Sequence, residues 1–159
     1  MKEYHLIEPI YDKDSKILIL GSFPSVKSRE ANFFYHHPQN RFWRVLAAVY
    51  QDTVPEEIAD KKAFLKRHQI ALWDVIASCN IKGSSDSSIS DVEVNDLNMI
   101  IANSAIKHIY TNGNLADKLY HRYLDTVIDL PVTKLPSTSP ANAAYSLDKL
   151  LIYWRVINE

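Results

Sequence analysis

Four short apolar runs, each ending on small polar residues and each followed by a helical pattern, constrain this chain more than any other feature. They are KILILGS (Lys16–Ser22), IALWDVI (Ile70–Ile76, interrupted by Asp74), IKHIYTNG (Ile106–Gly113) and PVTKLPS (Pro131–Ser137). Short runs of this kind suit strands covered on both faces, as in a parallel sheet. Between them the period changes. Phe42, Val45, Leu46 and Val49 share one helical face. Thr53 with Glu56, and Ser90 with Glu93, have the spacing of capping boxes and predict two further helix starts. Another helix is expected from Leu115. For the last, Ser139 is the predicted N-cap and Pro140 the first turn, ahead of Leu147, Leu150, Leu151 and Trp154. Ile81–Asp91 reads as one long polar loop.

Strands alternating with helices imply right-handed crossovers and an α/β fold: a three-layer sandwich with a central, mostly parallel four-stranded sheet flanked by helices. Residues 1–159 are expected to form a single domain, a size that encloses a real core. Ligands of such sheets bind beyond the C-terminal ends of the strands. The polar clusters GSFPS, Asp74, TNGN and STSPAN all follow strands, so one site at one edge is the economical reading. The segment FFYHHPQNRFW (Phe33–Trp43) feeds into it.

Composition narrows the chemistry. Apolar residues make up 47% and charged residues 23%, with a net charge of −1. That balance fits a soluble globular chain, with no global attraction to nucleic acid. No apolar run reaches the roughly 20 residues of a membrane span, and the acidic N-terminal stretch has no secretory h-region; a cytoplasmic protein is expected. One cysteine, Cys79, gives no internal disulfide and no Cys-rich metal cage; it reads as an inert buried thiol. Three glycines are too few for a phosphate-cradling loop. No zinc deaminase signature and no G-x-S-x-G elbow occurs. His36 and His37 are adjacent, which suits no metal ligation, so no metal and no cofactor are expected. What remains is Asn, Ser, Pro, aromatic rings and one carboxylate. Such a set can stack a planar ring, bond its edge, hold a water and grip a phosphate. It suits cleavage through a cation-like transition state, of which N-glycosidic hydrolysis is one case.

The ordered segments ILILGSFPS, FYHHPQNRFW, IALWDVIASC, YTNGNLA and LPSTSPANA resemble the uracil-DNA glycosylase superfamily, and within it the hypoxanthine-DNA (deoxyinosine) glycosylase family. The similarity runs from about Lys16 to Trp154. It implies that Asn40 is the catalytic asparagine, its amide oxygen orienting water and facing the oxocarbenium charge. It implies that Gly21, Ser22 and Phe23 meet the base, with Asp74 and Asn112 at its edge. By the same resemblance Ser25 and the loop Ser137, Thr138, Ser139 and Pro140 contact DNA. Ser137 stands where the superfamily carries a motif histidine, a departure that argues against efficient uracil excision.

The implied activity is monofunctional: removal of a deaminated base, hypoxanthine preferred, from DNA in base excision repair, leaving an abasic site. The expected partner is DNA containing deaminated bases, with no membrane, and the chain is expected to be a monomer. Alternatives are a uracil or xanthine glycosylase, a hydrolase of free nucleosides, or a non-catalytic nucleotide- or nucleic-acid-binding module on the same scaffold. Structural readings stand beside the functional ones. Asn40 can cap the helix that follows it, Asp74 can bond nearby backbone or an arginine, and Asn112-Gly113 can be a plain turn. Phe23, Phe34 and Tyr35 can stack a base or simply pack. Trp43, Trp73 and Trp154 read as core.

Overall fold

The computed structural model describes residues 2–159; residue 1 of the expected unit lies outside the described residues. In chain order the elements are β1 (Lys2–Tyr4), β2 (Ile17–Gly21), α1 (Val26–Ala31), α2 (Phe42–Tyr50), α3 (Ile58–Arg67), β3 (Ile70–Asp74) and β4 (Ile76–Asn80). They continue with β5 (Ser90–Val94), α4 (Asn98–Ala102), β6 (His108–Asn112), α5 (Asn114–Tyr123), β7 (Val132–Leu135) and α6 (Leu147–Trp154). The four expected strands form one sheet in the order β3-β2-β6-β7, parallel throughout. All five residues of β2 are buried, as its central position demands.

Alternation along β2 divides the core. Ile17 and Ile19 face a layer built by α2, α3 and α6, where Phe42, Phe64, Leu150 and Trp154 are fully enclosed. Leu18 and Leu20 face the other layer, which holds Ile100 of α4, Leu119 and Tyr120 of α5, and Ile76 and Cys79 of β4. The three-layer architecture expected from the sequence is the one observed. Among the described residues, no helix is long and apolar enough to cross a membrane.

Several local expectations are overturned. The run Ile70–Ile76 is two strands, not one. It breaks at Val75, whose N–H donates to the Gly21 carbonyl, and β4 then leaves for a second, antiparallel sheet ordered β1-β4-β5. Ser90 and Glu93 form no capping box, because Ser90–Val94 is strand β5. Val92 and Val94 alternate inward there, and Glu93 accepts from the Ser78 hydroxyl instead of turning back to Ser90. The predicted polar loop therefore ends in a strand. Thr53 and Glu56 cap nothing. Pro55 biases Val54 toward extended backbone, and α3 starts only after Glu57.

The last helix starts at Leu147 with Ser146 as its N-cap, accepting from Lys149 N–H at 3.2 Å, not at Ser139–Pro140. The intervening residues form turns instead, with Asn142 N–H donating to the Ser139 carbonyl and Tyr145 N–H to the Asn142 carbonyl, and the Arg41 guanidinium gathers the carbonyls of Ser139, Asn142 and Tyr145. The short helix α1, capped by the Ser25 hydroxyl on Ser28 N–H, had no sequence prediction.

Candidate active site

Parallel pairing brings the strand ends level. Gly21 is the register partner of Asp74, and Asn112 that of Leu135, so the polar clusters after all four strands open on one edge. They line a cavity of about 260 Å³, to which Gly21, Phe23, Asn40, Asp74, Asn112 and Ser137 contribute. Ser22, Ser25, Thr138, Ser139 and Pro140 also face it, as do Phe34, Tyr35 and His37. Every site residue expected from the sequence therefore meets at this one cavity. A second groove of about 570 Å³ continues from it, sharing Ser22, Asn112 and Ser137 and reaching Lys134, Tyr145 and Tyr153.

Asp74 is buried at the cavity floor. Its Oδ2 lies 2.7 Å from His5 Nε2, a pair with side-chain exposures of 5% and 0%. Its Oδ1 makes no hydrogen bond among the described residues. Gly21 exists for this carboxylate. Its backbone is ordinary, but a Cβ there would collide with Asp74 Oδ1 and stand 3.0 Å from the Tyr35 hydroxyl. Tyr35 is a strained residue, with φ at +51°, a cost that persists only where surroundings enforce it. Its ring stacks on Phe42 at 3.8 Å, and its hydroxyl is sealed without a hydrogen-bond partner. Burial, and then the Asp74 charge, push that phenol well above its ordinary value.

Asn40 sits at the cavity wall, half-buried, and its Oδ1 accepts from Phe42 N–H at 2.9 Å. The structural and functional readings thus coexist. The backbone donor fixes which amide atom points at the helix, and one lone pair of that oxygen stays free. Asn112 spends both ends of its amide on Thr138: Nδ2 donates to the hydroxyl and Oδ1 accepts from the N–H, each at 3.1 Å. It joins β6 to the loop 137–142 more than it faces the cavity. Gly113 allows that junction, with φ at +99° and Ser137 close against it.

The loop is a chain of small turns. Ser137 Oγ accepts from Ser139 N–H, Ser139 Oγ from Ala141 N–H, and Asn142 Nδ2 donates to the Ser137 carbonyl. The amide-rich helix start expected at Ser139–Pro140 is absent, so any phosphate there would meet turn amides and hydroxyls. Of the aromatic residues, Phe33 is turned away against Trp43, whereas Phe23, Phe34 and Tyr35 reach the cavity wall. Trp43 and Trp154 are core as expected, and Cys79 is a buried free thiol.

Sequence reasoning missed two residues. His5 is 69 positions from Asp74, and a lone histidine near the start of a chain carries no spacing signal. Arg41 lay inside the quoted segment, but its three carbonyl partners sit about 100 residues on and belong to a stretch expected to be helical.

A base-sized cavity at the C-terminal edge of a four-stranded parallel sheet, with an asparagine on its wall and a carboxylate on its floor, has counterparts among known proteins. The family model of the uracil DNA glycosylase superfamily matches residues 8–158, and this chain belongs to that superfamily. A curated relative from Methanosarcina acetivorans, named hypoxanthine DNA glycosylase, is 32% identical over 142 residues, covering 88% of this chain and 89% of its own. A second protein of that name, from Methanosarcina barkeri, is 36% identical over 93 residues, covering 58% and 59%. The solution NMR structure of a Methanosarcina acetivorans protein provisionally described as a uracil DNA glycosylase superposes with a TM-score of 0.81. It is 30% identical and covers all of both chains.

Proposed function

We propose that this chain is a monofunctional DNA glycosylase that releases a deaminated base, hypoxanthine first, and leaves an abasic site. The observation that carries the reading is the free Oδ1 of Asp74 at the floor of a base-sized cavity. A base inside a duplex is out of reach, so the nucleotide must be flipped, at roughly a few kcal/mol of unstacking. Hypoxanthine then presents O6 beside N1–H, and the carboxylate accepts from N1–H. Adenine has a lone pair at that position and meets the carboxylate with repulsion. The names carried by two relatives agree with this choice.

Asn40 supplies the chemistry at the sugar. Its amide is already held by Phe42 N–H, so its free lone pair is set before the substrate arrives. It directs a water at C1′ and faces the positive charge that grows there as the N9–C1′ bond breaks. The bond's electron pair goes to the base, the water oxygen bonds to C1′, and the water's proton leaves to the departing purine or solvent. No lysine lines the cavity among the described residues, which supports release of the base without strand cleavage. The adjoining groove, with Lys134, Tyr145 and Tyr153, offers a path for the flanking strand.

Uracil is the second reading, because its N3–H beside O4 repeats the same donor and acceptor pair. Oligonucleotides carrying one inosine, uracil or xanthine, incubated with the protein and treated with alkali, separate the two. Inosine is expected to be cleaved fastest, and Asn40→Ala to slow it by roughly 100- to 1,000-fold. Release of no base from single- or double-stranded DNA would sink the assignment.

A further inference from the structure

We infer that His5 is a positioning residue for Asp74 and, through it, a determinant of which base the cavity accepts; this rests on the proposed reading of the cavity as a base site.

The hydrogen-bond inventory of the pair decides how it is protonated. His5 Nε2 meets Asp74 Oδ2 at 2.7 Å, while His5 Nδ1 is sealed and has no partner. Were His5 an imidazolium, Nδ1–H would be a buried donor with nothing to receive it. Were Asp74 the acid, donating to Nε2, the neutral ring would carry its own hydrogen on the same orphaned Nδ1. Both arrangements bury an unsatisfied donor. Every arrangement that leaves nothing worse than an unused Nδ1 acceptor has a neutral ring with its hydrogen on Nε2, donating to Oδ2, and the short 2.7 Å contact is that of a bond to an anionic carboxylate. His5 therefore occupies Oδ2 and leaves Oδ1 as a pure acceptor toward the cavity.

The surroundings hold the ring in that role. Phe23, Phe34 and Trp73 enclose it at centroid distances of 6.0–6.2 Å, two of them edge-on. The other ionisable groups around the pair are few. Tyr35 from the segment before α2 stands over Asp74, His37 and Asp86 line the same cavity, and Arg29 of α1 lies on Phe23, where it also meets Glu3 of β1. Of these, only Tyr35 brings a hydroxyl up to the carboxylate, and it forms no hydrogen bond to it. Among the described residues Asp74 thus has a single side-chain donor, and it is His5.

Removing that donor leaves a buried carboxylate with nothing to stabilise its charge, and it takes up a proton instead. A protonated Asp74 presents O–H where Oδ1 accepted before. It no longer suits the N1–H of hypoxanthine, and it suits the bare N1 of adenine.

The test compares the unaltered chain with His5→Phe, an apolar ring of similar size, and with His5→Gln, whose amide can still donate. Excision from inosine- and adenine-containing strands is measured between about pH 6 and pH 8, values that bracket the usual histidine range. His5→Phe is expected to lose roughly tenfold or more on inosine at the acid end, the scale of one hydrogen bond to a charge. It should recover toward the alkaline end, and its adenine-to-hypoxanthine ratio should rise. His5→Gln should restore the profile of the unaltered chain. A loss by the same factor at every pH, with an unchanged base ratio, would make His5 merely structural and overturn the inference.

The carbon-13 chemical shift of the Asp74 carboxyl, followed across the same range without DNA, is a readout independent of excision. It should stay that of a carboxylate in the unaltered chain and His5→Gln, whereas in His5→Phe it should be that of an acid at the acid end and return to that of a carboxylate toward the alkaline end. If the unaltered chain releases no hypoxanthine, the proposed function fails, and this spectrum still decides whether His5 governs Asp74. Should His5→Phe not fold, His5→Leu carries the same expectation.

Discussion

Two aspartates in this molecule hold a histidine at almost the same distance. Asp52 Oδ2 lies 2.8 Å from His68 Nε2, and Asp74 Oδ2 lies 2.7 Å from His5 Nε2. The resemblance ends there. Asp52 sits at the surface, where the same oxygen also receives two donors from Arg67 and its other oxygen receives Thr53 N–H. His68, Arg67 and that backbone amide together hold its carboxyl well below the usual range. Both carboxylate oxygens of Asp52 are engaged in fixing the turn after α2. Asp74 is enclosed and, among the described residues, has one donor and keeps an oxygen free over a cavity. The carboxylate of Asp52 is held by partners on both oxygens, whereas Asp74 is buried with one oxygen free over the cavity, the oxygen proposed above to meet the base.

Neutralising each aspartate breaks that comparison most sharply. Asp74→Asn should lower hypoxanthine release by roughly 10- to 100-fold, the scale of a charge-assisted hydrogen bond. Asp52→Asn should leave excision rates unchanged, and equal losses in the two variants would erase the distinction. Gly21→Ala comes next, because its methyl pushes directly on Asp74 Oδ1. A loss of about tenfold in rate is expected, with roughly 1–3 kcal/mol of stability measured by denaturant titration. A fully active Gly21→Ala would mean that the carboxylate has room to move.

Tyr35→Phe acts in the opposite direction on stability. It deletes a buried hydroxyl that has no partner, so the protein should gain about 1 kcal/mol and melt roughly 2–4 °C higher. A lower melting temperature would show that the hydroxyl is satisfied after all. The smallest effect belongs to the surface pair. A carboxyl depressed in the folded state stabilises above its unfolded value, and that stability fades as pH falls through the folded value. Asp52→Asn should therefore melt slightly lower than the unaltered chain at neutral pH, and the gap should close on acidification. A gap that widens in acid would contradict the ion-pair account.

The central sheet and the cavity edge were legible in the sequence for the same reason. Strands buried on both faces are continuous apolar runs, and Gly21, Asp74 and Asn112 close three of them while Ser137 follows the fourth, so the polar residues stand at one edge. The second sheet was not legible. β1 is short and mostly exposed, β5 hides its alternation behind Ser90 and Glu93, and β4 follows β3 with one residue between, so the pair reads as a single strand. Ser139-Pro140 looks like a cap when seen locally, which moves the expected start of the last helix too early. The competing force, one arginine gathering the carbonyls of that stretch, comes from residue 41 and leaves no local trace. His5 was invisible on the same grounds: tertiary partners so far apart in sequence share no periodicity.

Arg41 ties more than a loop. Its N–H donates to the Thr138 carbonyl while its guanidinium gathers the carbonyls that follow, and Asn40 is its immediate neighbour. The segment proposed to touch the strand and the residue proposed to direct the water are thus mechanically one piece. A protein that scans DNA meets intact nucleotides almost every time, and the Arg41 bonds give the loop proposed to dock on the strand a direct mechanical link to the asparagine at the cavity wall.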